Sequence, residues 1–166
     1  MPIPRRRATP LTSVLLIALA AGLAPGAARA QADTLIVAEA RAFMDAYAHD
    51  LRTGDREAIA ARYDRRGAYL MFNGSRDFAP WDSLAAQYRT RWTAPAAFEW
   101  VDLIFEPAGP DGIVVNGHFL WTPRPGAEPM RLSYTGLLVR RDGELRIRLE
   151  DESMDGRTPP APPPAP

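Results

Sequence analysis

The residues best able to move a proton lie near the end of the chain, in the strand-like run Glu144–Ser153 (ELRIRLEDES). A period of two sends Leu145, Ile147 and Leu149 to one face and Arg146, Arg148, Glu150 and Glu152 to the other. On that count Asp151 closes the apolar face. A carboxylate among apolar neighbours has a raised pKa and serves as acid, base or ligand anchor. At a wet strand end it is instead solvated or paired with an arginine. Both readings stay open. Tyr47 and Tyr63 are the hydroxyls that could orient a carbonyl beside such an acid, and both are equally readable as core tyrosines with satisfied hydroxyls. Phe119 and Trp121, with Trp81 and Trp92, could line an apolar pocket or belong to the core.

Other chemistries have no support in the sequence. There is no cysteine, so no disulfide, thiolate nucleophile or cysteine-held metal. His49 and His118 stand alone, without the spacing of a metal site, and neither a metal nor another cofactor is expected. No serine sits in a nucleophile elbow, and no glycine-rich loop could cradle a phosphate; Gly109–Gly112 reads as a turn. Every basic residue is arginine. Beyond residue 30, sixteen arginines against twenty acidic residues leave a formal charge of −4. A mildly acidic domain without a basic cluster has no footprint for nucleic acid.

The elements that must position these residues are readable from periodicity. Ile36, Ala40, Phe43, Tyr47 and Leu51 mark one face of a first helix, begun at Asp33 or Thr34 and stopped by Gly54. Asp55 caps a short second helix carrying Ile59 and Tyr63. Ala68–Phe72 is a strand, Asn73-Gly74 a tight turn, and Trp81–Trp92 a third helix after Pro80. From Pro95 onward the period changes to two. Strands are expected over Phe98–Glu106, Ile113–Thr122, Met130–Arg141 and Glu144–Ser153, the last two joined at Asp142-Gly143. In the second of these, Val115, Gly117, Phe119 and Trp121 form the inner face, while Asn116 and His118 look outward. The first is apolar on both faces, so both faces of the sheet need covering: helices on one side and a second copy of the chain on the other.

Residues 1–30 combine Arg5-Arg6-Arg7, an apolar run from Leu11 to Ala24 and Ala28-Arg29-Ala30. This is the layout of a signal peptide cut after Ala30; the alternative is an uncleaved N-terminal anchor. The expected destination is the periplasm or the exterior, with no membrane association after cleavage. Residues 156–166 are proline-rich and expected to be extended and disordered. The folded domain is therefore placed at 31–155.

The segment Tyr47–Asp55 (YAHDLRTGD), then Ile59, Tyr63-Asp64, the Asn73-Gly74 turn, the Asp142-Gly143 hairpin and Leu145–Ser153 resemble the nuclear transport factor 2-like superfamily, in its ketosteroid-isomerase-like and polyketide-cyclase-like bacterial branches. The resemblance implies an α+β cone. In it a curved antiparallel sheet, made of a four-strand meander plus a short N-terminal strand, packs on three helices from the first half of the chain. It also implies an apolar pocket within the cone and a homodimer formed through the outer sheet face. Under it, Tyr47 takes the place of an oxyanion-binding tyrosine, the base position falls on Met71 and the second acid on Leu137. Neither Met nor Leu can exchange a proton, which argues against ketosteroid-isomerase chemistry.

Two functions remain. The first is non-catalytic: a small apolar molecule held in the cone by Tyr47, Tyr63, Met71, Phe119, Trp121, Leu137 and Asp151, or interaction through the sheet. The second is a cyclase- or dehydratase-like enzyme, with Asp151 as acid or base and Tyr47 or Tyr63 orienting a carbonyl. The export signal is directly testable. N-terminal sequencing of the protein recovered from the periplasm or medium is expected to begin at Gln31; recovery of the intact N-terminus in a membrane fraction would replace cleavage by anchoring.

Overall fold

The computed structural model describes residues 25–154. Most of the expected signal segment, residues 1–30, and the proline-rich tail expected to be disordered thus lie outside the described residues. Three helices, α1 (Pro25–Thr53), α2 (Arg56–Ala61) and α3 (Trp81–Thr90), pack on one seven-stranded sheet of β1 (Ala68–Phe72), β2 (Ser75–Ala79), β3 (Ala97–Trp100), β4 (Ile104–Pro107), β5 (Gly112–Thr122), β6 (Met130–Arg141) and β7 (Glu144–Met154). The sheet runs β2-β1-β7-β6-β5-β3, with β4 also on β5. It is curved and unclosed. All pairs are antiparallel except β1 with β7. None of the described helices is long and apolar enough to cross a membrane.

The helices follow the expected logic with local corrections. Helix α1 starts at Pro25, not at Asp33 or Thr34. The alanine-rich stretch before Thr34 propagates a helix well, and the Thr34 hydroxyl donates back to the Ala30 carbonyl (2.9 Å) instead of capping. Its buried stripe is Ile36, Ala40, Met44, Tyr47, Ala48 and Leu51. Phe43 is only half-buried, beneath the Arg62 guanidinium (5.1 Å). Gly54 takes a positive φ of 72°, and the Asp55 carboxylate then caps α2 by accepting from the Ala58 amide (3.0 Å). Helix α3 ends at Thr90, short of Trp92, whose amide bonds back to Gln87 (3.1 Å). Two indoles pin the helices to the body of the domain: Trp81 Nε1 donates to Ala60 O (3.2 Å) and Trp100 Nε1 to Met44 O (3.0 Å).

Two strand assignments change. The turn at Asn73-Gly74 opens into a hairpin whose second arm, β2, was not expected as a strand. The single strand expected over Phe98–Glu106 is two, β3 and β4, both on β5. Between them the backbone at Asp102 crosses directly over Gly117, where any Cβ would collide with the Asp102 carbonyl.

The decisive correction is in β7. Leu138 pairs with Ile147 but Leu137 pairs with Leu149, so Arg148 is an extra, unpaired residue: a β-bulge. Before the bulge Leu145 and Ile147 face the core. After it the alternation inverts. Glu150 turns inward and is buried, while Leu149 and Asp151 turn outward. On β6, Leu132, Tyr134, Gly136 and Leu138 are buried and face inward, which places Leu137 on the outer face.

The bulge coincides with a change of neighbour. The backbone around Tyr63 bridges Ile147, with Ile147 N donating to Arg62 O (2.8 Å) and Asp64 N to Ile147 O (2.9 Å). From Leu149 onward the neighbour is β1. The Arg148 side chain spans the junction, donating to Gly67 O (2.6 Å) with its guanidinium over Tyr69 (5.4 Å) and Phe78 (5.5 Å). Arg148→Ala is expected to lower the urea unfolding free energy by about 1–2 kcal/mol, the range for a partly exposed charge-assisted bond, with far-UV circular dichroism retained. An unchanged midpoint would show that strand pairing alone holds the bulge.

Candidate functional site

The inverted end of β7 puts two acids on the concave face. Glu150 pairs across the sheet with Gly136 and Leu70, and Glu152 with Tyr134 and Phe72. Side chains that pair in this way share a face, so these six positions form the floor beneath helices α1 and α3. Above them is a cavity of about 290 Å³. Tyr47 and Leu51 reach it from α1, Gln87 and Tyr88 from α3, and Trp92 and Trp121 from behind. Phe72, Ser75 and Asp77 of the β1–β2 hairpin form its rim.

Glu150 sits at the inner end within a ring of tyrosines. Its Oε2 accepts from the Tyr63 hydroxyl, and its Oε1 from the Tyr47 hydroxyl (3.3 Å). Since the Tyr63 proton goes to Glu150, Tyr88 donates to the Tyr63 oxygen (2.7 Å). The hydroxyls of Tyr47 and Tyr63 are themselves 3.0 Å apart. A hydrogen-bonded chain thus runs from Tyr88, at the cavity, through Tyr63 to Glu150. A fourth ring, Tyr134, is fully buried. It folds over Gly136, where a Cβ would stand 2.6 Å from the phenol oxygen. Among the described residues its hydroxyl makes no hydrogen bond of normal distance and angle, yet it lies close enough to interact with the Glu150 carboxyl.

Electrostatics follow from this packing. Burial raises the Glu150 carboxyl above the ordinary carboxylate range, and the tyrosine hydroxyls offset part of that cost. Burial, and then the charge of Glu150, push Tyr47, Tyr63 and Tyr134 well above the usual phenol value, so all three remain protonated donors. Glu152 is raised to about 8, by burial first, then by repulsion from Glu150 and Asp151. Among the described residues no hydroxyl, amide or guanidinium bonds the Glu152 carboxyl. Two acids two residues apart on one strand therefore titrate as a pair, the charge on one resisting the charge on the other.

The residues singled out by sequence divide sharply. Tyr47 and Tyr63 come together, around Glu150. Trp121 and Met71 border the cavity. Phe119 is core, its ring stacked on Phe98 at 5.3 Å. Leu137 and Asp151 do not line the cavity: the alternation of β6 turns Leu137 outward, and the bulge in β7 does the same to Asp151. There Asp151 accepts from the Ser153 hydroxyl (2.9 Å). His118, on the same outer face, is paired through Nδ1 with Asp102 (2.8 Å), and His49 is exposed. Among the described residues no group of three histidines or acids is placed to hold a metal.

Strict alternation missed Glu150 and Glu152 because it assigned them to the face of Arg146 and Arg148. One signal was present: Gly136, two residues after an inward tyrosine, leaves a vacancy on the buried face that a neighbouring polar group can fill.

No family model and no curated protein matches the chain. Solved structures do. An NTF2-like protein with a cystatin-like fold from Novosphingobium aromaticivorans superposes with a TM-score of 0.64 at 15% identity, covering 81% of this chain and 92% of that one. An NTF-2 like protein of unknown function from Shewanella oneidensis gives 0.62 at 15% identity, over 70% and 98%. A protein assigned as a scytalone dehydratase from Novosphingobium aromaticivorans gives 0.60 at 9% identity, over 78% and 99%. With the helices held against a curved, unclosed sheet and these neighbours superposed over most of their length, the chain has the NTF2-like, cystatin-like fold.

Proposed function

We propose that the cavity binds a small, largely apolar molecule and that Glu152 exchanges a proton with it, in an isomerisation or an elimination of water. The observation that carries this reading is the pair of inward acids in unlike surroundings. Glu150 is enclosed by tyrosine hydroxyls, whereas Glu152 faces the cavity with no bonded group among the described residues. A base is most effective when its pKa lies near the working pH, and a value of about 8 meets that condition. Tyr88, at the cavity end of the hydroxyl chain, gives its own proton to Tyr63 and so offers its oxygen to a ligand donor. The dehydratase assignment of one structural neighbour accords with this class of chemistry.

This reading replaces Asp151 by Glu152 as the acid or base. It also removes the objection drawn from Met71 and Leu137, since the acids enter from β7. Export to the periplasm or exterior remains part of the proposal, on the strength of residues 1–30. So does a homodimer through the outer sheet face, where the rings of Tyr69 and Phe78 are exposed at 40% and 47%. Light scattering of the mature protein is expected to give twice the chain mass.

A general probe of a base in an apolar pocket is the elimination of a benzisoxazole, which removes a proton from carbon and releases a coloured phenolate. The wild type is expected to accelerate it with a rate that rises through an apparent pKa of about 8. Glu152→Gln is expected to lose about 10²-fold or more, the usual contribution of a general base. Equal rates for the two proteins would end the proposal. Binding of the probe with no turnover in either protein would leave a binding domain.

Stability carries the same signature. Glu152 is near 4.5 when unfolded and about 8 when folded. The folded state therefore holds a proton that the unfolded state has lost over that interval. The corresponding stability is complete below about 4.5 and is lost as pH rises through about 8. Glu152→Gln is expected to melt higher than wild type above pH about 8 and to lose that advantage in acid. A melting-temperature difference independent of pH would show that Glu152 titrates normally.

A further inference from the structure

The charged groups at the cavity are all of one sign. Glu150 and Glu152 lie on its floor and Asp77 on its rim, and among the described residues no arginine or histidine lines it. This is unusual for a chain whose surface is rich in arginine; those arginines are spent elsewhere, Arg140 on Glu39, Arg62 on Asp50 and Arg141 on Asp64. The walls are aromatic, with Tyr47, Phe72, Tyr88, Trp92 and Trp121 around one space. Aromatic faces carry negative potential and attract cations, indole most strongly. An anionic ligand would meet repulsion from every charged neighbour and gain no compensating bond. A neutral ligand would leave the Glu152 carboxyl without an ionic partner. A ligand with a protonated nitrogen and an apolar body would satisfy both the acid and the rings.

We propose that the site selects a small protonated amine, its ammonium on Glu152 and its apolar part against Trp92 and Trp121, and that it rejects carboxylates. This rests on the reading of Glu152 as the open carboxyl of the cavity and goes beyond it: an ammonium paired with the carboxylate holds it ionised, so the amine competes with proton transfer and is not its substrate. It adds which class of molecule the acid meets. The groups that act on Glu152 are Glu150 and Asp151 on its own strand, Tyr134 on β6, Tyr47 on α1 and Tyr88 on α3, and Asp77 of β2 lines the same cavity. Burial holds the tyrosines protonated, which leaves proton exchange to the Glu150–Glu152 pair. A bound cation therefore favours the ionised form of Glu152, and its uptake displaces a proton.

Calorimetry of the mature protein with three probes of similar shape tests the assignment: 2-phenylethylamine, 2-phenylethanol and 3-phenylpropionate. At pH about 9, with Glu152 ionised, the amine is expected to bind about tenfold tighter than the alcohol, and the carboxylate weakest of the three. At pH about 6 the gap between amine and alcohol is expected to narrow. Heats measured in buffers of different ionisation enthalpy are expected to reveal a proton released with the amine only. Glu152→Gln is expected to bring the amine level with the alcohol; the wild-type pH series gives the same answer if that variant does not fold. Equal binding of amine and alcohol at pH about 9, or tighter binding of the carboxylate, overturns the assignment. If that happens while benzisoxazole elimination still depends on Glu152, the ligand class alone is wrong. If none of the three probes binds and the elimination is also absent, both readings fall together.

Discussion

One unpaired residue decides which side of the last strand is chemical. Without the bulge at Arg148, the two-residue period would carry Glu150 and Glu152 to the outer face and fill the concave side with Leu149 and Asp151. A single insertion in one strand reverses every later side chain. The reversal is fixed from three directions. Upstream, the backbone around Tyr63 holds Ile147 in register. Downstream, β1 takes over from Leu149. Across the junction, the Arg148 guanidinium ties the bulge to the carbonyl of Gly67. The helices then only have to deliver Tyr47 and Tyr88 to a point that the sheet and the bridge at Tyr63 have already defined.

A buried carboxyl is costly, and the structure meets that cost with hydroxyls instead of a guanidinium. An arginine beside Glu150 would hold the carboxylate as a permanently neutralised pair and depress its pKa. Phenols act differently. They donate hydrogen bonds without contributing charge, so they offset only part of the burial that raises the carboxyl. The negative charge is then free to act on Glu152, two residues along, and to lift its pKa toward neutrality. The Arg62–Asp50 pair elsewhere in the chain illustrates the alternative, an acid locked by a cation and chemically quiet.

Much of the fold was legible because periodicity reports it directly. The stripe from Ile36 to Leu51, the cap at Asp55, the turns at Asn73-Gly74 and Asp142-Gly143, and the inward set Val115, Gly117, Phe119 and Trp121 all rest on local rules that tertiary packing did not override. The start of α1 and the arm of β2 were misjudged at element boundaries, where local preference is weak. The site was half legible. Tyr47 was found because it lies on a helical face, which tolerates no slip of one residue; Tyr63, expected on α2, lies two residues beyond its end, where the chain bridges Ile147. Glu150 and Glu152 were not, because a bulge leaves no mark in its own strand: Arg148 follows the same alternation as Arg146. Its cause is non-local, in the pairing of Ile147 with the chain near Tyr63 and of Leu149 with β1. Asp151 turned outward for the same reason, whereas Leu137 faces outward by the regular alternation of β6.

The crossing of Asp102 over Gly117 has a consequence for solubility as well as for shape. A long unbroken strand at the margin of an open sheet offers its free amides and carbonyls to any extended chain, and is a template for aggregation. Here that margin is cut into two four-residue pieces, β3 and β4, with a backbone crossover between them. Neither piece is long enough to recruit a foreign strand along its whole length. The smallest side chain in β5 thereby guards the border of the sheet, since any larger residue at 117 would push the crossover away from the strand beneath it.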